Sequence, residues 1–419
     1  MTEFSGQPVF GQSPGPPAEP EESKEAIASS SATRRGLFAQ ALVHALRVRR
    51  AQCGTAWVGL IALLAVLAPL LANSRPYLLK MDGRWSSPLI EGLLWSDVAV
   101  MATVTVLITV AIFGRRWRPR VRVVLTAVLL IATGAASFAA LSARSDRIEI
   151  YSQYREATTA GRVQWSLNAP IPYSPQDYQR DRFALDDPHP WDPRPGHRLG
   201  TDRNGGDIAS RMIHACRIAL SVGFIAEGVA MLIGVAVGGL MGYFSGVVDL
   251  LGMRLVEIFS SIPQLYLLLA FVAFFRRDLY LIMLIIGLTS WTGYAVFTRA
   301  EFLRLRNQDF VQAAIASGLS TPRVIFLHLL PNGLAPILVS ASFGVASAIL
   351  AESTLSFLGV GLVGDPSWGS ILNQAVGESR FYWWLAVFPG TAIFLTVLAY
   401  NLIGEALRDA LDPKLLKRE

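Results

Sequence analysis

The chain has 419 residues, of which 52% are hydrophobic and 16% charged, with a mean hydropathy of +0.42. A soluble globular chain carries about a quarter charged residues, so this balance excludes an ordinary soluble domain and points to several membrane spans. The net charge of +6 comes from Arg clusters beside apolar runs, with no recognised basic motif, which argues against a nucleic-acid partner.

Residues 1–34 are rich in Pro, Ser, Glu and Gly. They read as a disordered tail and not a cleaved leader, which needs an apolar centre. Apolar runs of roughly 17–25 residues can cross the hydrocarbon core as helices. Charge-free runs of this size fall at 51–74, 98–114, 123–143, 258–275, 279–298 and 384–404. Two further runs need argument. The one at 218–248 contains Glu227, and the one at 331–351 holds Pro336, which neighbouring helices can accommodate. The expectation is an all-α membrane protein with about eight transmembrane helices and both termini on one side.

The side follows from the basic residues. Residues 33–50 carry five Arg and no acid, and "RRWRPRVR" at 115–122 carries five more. Arg299, Arg304, Arg306, Arg323, Lys414, Lys417 and Arg418 fall on the same side, which is therefore read as cytoplasmic. Arg276 and Arg277 oppose this from a tight link on the other side, but the total still favours it. The segment 144–215 is then external and, being rich in Asp, Pro, Arg and aromatics, is expected to be partly ordered. Cys53 and Cys216 lie at opposite faces, so a disulfide between them is excluded, and neither has partners at metal-ligand spacing.

Between two apolar runs lies "DFVQAAIASGLSTPRVIFLHLLPN", residues 309–332, too polar to span a bilayer. Its periodicity predicts a helix from Asp309, with Phe310, Ala313, Ala314 and Ser317 on one face. Gly318 closes it, and Ser320-Thr321-Pro322 turns the chain into a second helix that runs through Leu329-Leu330 to Pro331. Ala and Gly keep the surface low, so a partner's backbone could approach closely.

Here the chain resembles a known family. Ala313-Ala314, three residues, Gly318 and then twelve residues to Pro331 resemble the EAA loop of binding-protein-dependent ABC importers. Gln312 stands where that loop has Glu, and His328 stands where it has Ile, while Leu330-Pro331 keep register. His-x-Leu-Pro is frequent in the peptide-importer branch. "LGTDRNGGDIASRMIHACRIALSVG" (199–223) is similar to the segment before the core spans of dipeptide and oligopeptide permeases. Gly206 in place of the commoner Arg, and "LLANSRPYLLKMDGRWSSPL" (70–89), resemble the microcin C-type oligopeptide branch. The stretches at 249–268, 299–314 and 403–414 fit the same family.

The resemblance implies a type I ABC importer permease with a six-span core, into which residues 97–143 insert a two-helix hairpin. The expected divisions are a tail (1–34), a first-span region (35–96), the hairpin (97–143), an external region (144–215), the core (216–410) with its EAA loop (309–331), and a cytoplasmic tail (411–419). Location in the cytoplasmic (inner) membrane follows. The implied partners are a second permease forming a heterodimer, two cytoplasmic ATPases holding ATP and magnesium, an external binding protein, a peptide or peptide-like substrate and the bilayer. This chain itself is expected to bind no cofactor and to hydrolyse nothing.

Each group that was singled out has a plainer reading beside the functional one. Gln312, Ala313, Ala314, Gly318, His328, Leu330 and Pro331 are read as the ATPase-coupling surface, against an ordinary amphipathic helix. Arg299, Arg304, Arg306 and Arg323 suit either a partner's acids or a membrane flank. In "GTDRNGGD", Gly200, Thr201, Asp202, Gly205 and Asp207 build turns and a helix cap, or touch the binding protein. The stretch lacks the Gly-Lys-Ser/Thr ending of a phosphate loop. His189, His197 and His214 are irregularly spaced, which does not suit a metal site. Glu227 within a span either faces a water-filled path, pairs with a neighbouring chain or touches substrate. Arg254 and Glu257 suit an ordinary helix pair. Pro263 is expected to kink its span, with Ser260, Ser261 and Gln264 lining the pathway. The rival readings are a permease for another substrate such as nickel, and a membrane-embedded enzyme, for which no Ser/His/Asp or metal arrangement is evident.

Overall fold

The computed structural model describes residues 48–113, 119–141, 151–179, 190–275, 278–361, 364–376 and 381–411. Expectations placed on the N-terminal tail, on Arg115, Arg116 and Arg118, on Arg276 and Arg277, on His189 and on the tail from 412 fall outside them.

The first apolar run forms helix α1 (Arg49–Leu71). Strands β1 (Leu78–Met81) and β2 (Arg84–Ser86), a short helix α2 (Pro88–Gly92) and two long helices, α3 (Trp95–Phe113) and α4 (Pro119–Leu141), follow. Helix α5 (Gln153–Thr159) and strand β3 (Val163–Leu167) lead to α6 (Ile208–Phe244). Next come α7 (Gly246–Ser261), α8 (Gln264–Phe274) and α9 (Leu279–Arg306). The chain then forms α10 (Asp309–Ala316), α11 (Thr321–Arg323), α12 (Leu330–Phe357), α13 (Trp368–Asn373) and α14 (Trp383–Leu411).

Among the described residues, five helical stretches are long and apolar enough to cross a membrane: α1, α6, α9, Thr321–Phe357 and α14. The pair α7–α8 makes a sixth if it is one broken span. The other two of the expected eight correspond to α3 and α4, which pack on each other. The run expected as one kinked span at 258–275 is broken outright, with α7 and α8 meeting at 78°. Pro263 lacks an N–H and its ring clashes with the preceding turn, so the ladder stops there. The run expected at 218–248 starts earlier, at Ile208, because Asp207 accepts the Ser210 N–H at 2.9 Å and caps the helix.

Helices α6 and α9 pack almost backbone to backbone. Gly234, Gly238 and Gly242 lie along α6, where a Cβ would meet the carbonyl of Trp291 at 2.6 Å, of Ala295, and of Arg299 at 2.7 Å, respectively. Small residues four apart allow this approach in the absence of a hydrophobic driving force between membrane helices.

One end of the helix bundle carries a three-stranded antiparallel sheet of order β2-β1-β3, which the all-α expectation did not include. Asp82 and Gly83 make its hairpin turn at φ of 50° and 76°, the left-handed pair that a two-residue turn requires. The end region is therefore built from two separated stretches, since β1 pairs with β3 and Ala72 bridges to Ile171. The opposite end of the bundle carries α10 and α11.

Candidate functional site

Helix α10 ends in a complete Schellman closure. The Leu319 N–H donates to the Ala314 carbonyl at 3.2 Å, and the Gly318 N–H donates to Ile315 at 2.9 Å. Gly318 takes φ +76°, with open space where a Cβ would stand. Ser320 caps the next turn in extended geometry, with Pro322 in the first turn of α11. The chain does not stop at α11. A π-helical turn, Val324–Leu329, joins it to α12, so Thr321–Phe357 is one helical rod of 37 residues.

Val311, Val324 and Leu329 bury themselves against Phe302 and Leu305 at the end of α9, with Tyr243 of α6 packed alongside. The 309–331 segment and the span ends thus share one core. The structure splits the expected face between inside and outside: Val311 and Ala314 are buried, while Gln312, Ala313, Ile315, Ser317 and Gly318 are exposed. Ala313 and Ser317 therefore do not share the inner face with Ala314. Phe326 and Leu327, not singled out from sequence, are 65% and 62% exposed and extend the apolar outer surface. His328 and Leu330 are half-buried and Pro331 is exposed.

Gln312 has a specific task. Its side-chain N–H donates to the Arg306 carbonyl at 2.9 Å, tying α10 to the last turn of α9. A carboxylate at this position could not donate that bond. Three of the four nearby Arg side chains are also engaged within the chain. Arg299 forms a two-pronged pair with Asp249, Arg304 pairs with Glu301, and Arg306 donates to the Ser245 hydroxyl at 3.0 Å. Arg323 is exposed. Arg254 and Glu257 form the expected exposed pair.

At the sheet-bearing end, the "GTDRNGGD" loop is a buried keystone. Thr201 and Asp202 are fully buried, and Asp207 nearly so. Asp202 accepts the N–H groups of Asn204 and Gly206 at 2.9 and 2.8 Å, and Arg211 Nη1 lies 2.9 Å from its other oxygen. Asp207 accepts from Ser210 and pairs with His197 at 2.8 Å. His197 also stacks on Tyr173, whereas His214 bonds the Ala72 carbonyl, so these two histidines do different jobs. Gly200 (φ +81°) has the Trp191 carbonyl and the Trp384 indole nitrogen where a Cβ would point, at 2.7 and 2.9 Å. Within the loop, Arg203 and Asn204 reach the surface, on the wall of a cavity of about 280 Å³ shared with Ser356, Ser370, Asn373 and Gln374.

Residues 234–417, which include the 309–331 segment, match the family described as binding-protein-dependent transport system inner membrane component. The oligopeptide transport system permease protein OppC of Haemophilus influenzae is 40% identical over 220 residues, 52% of this chain and 70% of that protein. The dipeptide transport system permease protein DppC of the same organism is 38% identical, covering 60% of this chain and 86% of that protein. The inner membrane ABC transporter permease protein YejE of Escherichia coli is 31% identical over 85% of this chain and 92% of its own length. This chain belongs to that permease family. Among solved structures, an inward-facing MetNI methionine ABC transporter aligns with a TM-score of 0.38 and 20% identity, covering 49% of this chain and 98% of that chain.

The pathway residues expected of this permease do not form one group. Ser260, Ser261, Pro263 and Gln264 are all exposed at the α7–α8 break. The Gln264 side chain donates to the Ser290 hydroxyl at 2.9 Å and approaches Thr289 at 3.4 Å, adding α9 residues that the sequence reading had missed. Glu227 stands apart from them. It is 6% exposed on α6, accepts a hydrogen bond from the Tyr294 hydroxyl of α9, and lies against Gly344 of α12. Its partner thus comes from its own chain, and a buried carboxyl so held joins three helices of the permease.

Proposed function

We propose that this permease imports peptides or peptide-like compounds across the cytoplasmic membrane by alternating access, driven by separate ATPase subunits. The relatives named for oligopeptide and dipeptide transport support the substrate class. The Gly206 and 70–89 features keep the microcin C-type branch as our finer assignment. The orientation follows the Arg distribution: α10 and α11 face the cytoplasm, and the sheet and "GTDRNGGD" loop face outside.

The observation that carries the mechanism is the continuity from α11 into α12 beside the small-residue surface of α10. Movement imposed on Ala313, Gly318 and their exposed neighbours reaches the bilayer along an unbroken helix. It also reaches α9 and α6 through Val311 and Leu329. An ATPase closing on this surface would therefore shift three core helices together. Leu330 packs against the shared core, Ala314 is buried beneath the surface of α10, and Gln312 fastens that helix to α9. A second permease completes the path, with Ser260, Ser261, Pro263 and Gln264 as the lining from this chain. The external binding protein meets the exposed Arg203 and Asn204, while Thr201, Asp202 and Asp207 hold that tip in place.

The test is Gly318→Trp in the transporter reconstituted with its second permease, ATPases and binding protein. Insertion should be normal and basal ATP hydrolysis should persist, while binding-protein-stimulated uptake is lost. Stimulated uptake equal to that of the unaltered chain would remove the coupling role.

A further inference from the structure

One face of the three-stranded sheet carries large apolar side chains that no described element covers. Leu78 pairs with Leu167, and Lys80 pairs with both Trp85 and Trp165, so these five residues share a face. Trp85 is 62% exposed, Trp165 46%, Leu78 44% and Leu167 47%. The reverse face holds Leu79 at 1%, so the sheet is packed on one side only. Trp85 and Trp165 lie with ring centroids 5.6 Å apart, and the Lys80 ammonium stands 5.7 Å from the Trp85 ring.

The location of this face is constrained by its connections. The Ile171 N–H donates to the carbonyl of Leu71, the last residue of α1, at 3.0 Å, and the Asn73 N–H returns the bond at 3.1 Å. The Tyr77 hydroxyl donates to the Leu70 carbonyl. Beyond β2, the short α2 delivers the chain directly to α3, which starts at Trp95. The sheet is therefore fastened to the end of a span on one side and leads into a span-length helix on the other. A four-residue strand is only roughly 13 Å long, and the headgroup layer on each side of a bilayer is roughly 5–8 Å deep. A sheet held so closely cannot stand far from the lipid.

We propose that this face lies in the boundary between headgroups and acyl chains at the sheet-bearing end of the bundle. The chemistry fits that layer. Trp has a large apolar body with one N–H donor and concentrates at membrane interfaces. Leu78 and Leu167 flank the pair, and Ile90 of α2 is 64% exposed. Lys80 on the face, with Arg162 exposed at the rim against Asp82, favours anionic lipid headgroups. The occupant is lipid, continuous with the lipid around α1, and the anchor fixes the depth and tilt of that helix.

The test uses the full chain with Cys53→Ser and Cys216→Ala, which removes both cysteines. Trp85→Cys, Leu167→Cys and, on the reverse face, Arg84→Cys each carry an environment-sensitive fluorophore. The chain is placed in nanodiscs of phosphatidylethanolamine and phosphatidylglycerol with a shallow doxyl lipid. Labels at 85 and 167 should be quenched several-fold more than the label at 84, and aqueous iodide should reach them poorly. Equal quenching at all three positions overturns the proposal. So does protection from iodide that arises only when a soluble binding protein is added, and so does protection from both quenchers, which would mean a protein cover. A second readout leaves the face apolar: brominated lipid should quench intrinsic fluorescence less in Trp85→Phe/Trp165→Phe than in the unaltered chain. Unchanged quenching there refutes the anchor independently.

Discussion

Two glycine-containing loops cap the two ends of this bundle, and they work in opposite ways. Gly318 and Gly200 have nearly the same backbone, at φ +76° and +81°. Around Gly318 nothing approaches the place of a Cβ, and its neighbours face outward. Around Gly200 the chain closes in, and Thr201, Asp202 and Asp207 point their polar atoms at other parts of the protein. The same conformational freedom thus serves an accessible surface at one end and a sealed joint at the other. Accessibility, not glycine content, separates the open loop from the sealed one.

This contrast can be broken most sharply at Asp202. Asp202→Ala leaves Arg211 buried without its partner, a loss of ~3–5 kcal/mol. Thermal unfolding in detergent should show a large drop, and an unchanged midpoint would show that the loop is no keystone. The paired glycines give a direct comparison. Gly200→Ala should destabilise by ~1–3 kcal/mol from overlap alone. Gly318→Ala should cost only the left-handed strain, ~1–2 kcal/mol, with the overlap cost absent. Equal losses at the two positions would erase the distinction drawn here.

A smaller effect sharpens the docking end. Gln312→Glu restores the family's usual residue but removes the donor to Arg306, at ~1 kcal/mol. Faster hydrogen exchange at the α9–α10 junction is the expected readout, and slower exchange would mean the amide is not a fastener. The smallest effect should come from Glu301→Gln. Its pairing with exposed Arg304 contributes ~0.5 kcal/mol, and unfolding should scarcely move.

The helix-turn-helix form of residues 309–331 was legible because its determinants are local. Ala spacing, Gly318 and Pro322 lie within a few turns, and caps and proline act over that range. Which side of α10 is buried was not legible, because Phe302 and Leu305, from another helix, decide it. The sheet was missed for a related reason. The Asp82-Gly83 turn is a readable hairpin signal, but β3 pairs with β1 across the whole α3–α4 stretch. Glu227 gave the same lesson, since Tyr294 lies 67 positions away and no local pattern links them. Arg203 and Asn204 could have been singled out as the polar tip between buried Asp residues, but only burial separates them from Asp202.

The π-turn at Val324–Leu329 has a geometric consequence for the whole lever. A π-turn amounts to one extra residue taken into an α-helix. Each residue of an α-helix advances the side chains by ~100° around its axis. The turn therefore sets the angular phase between the docking surface and every side chain that α12 presents in the bilayer. Two permeases with identical contact residues but one residue more or less in this turn would push their spans in different directions. The angular bearing of the long rod is written in the six residues Val324–Leu329.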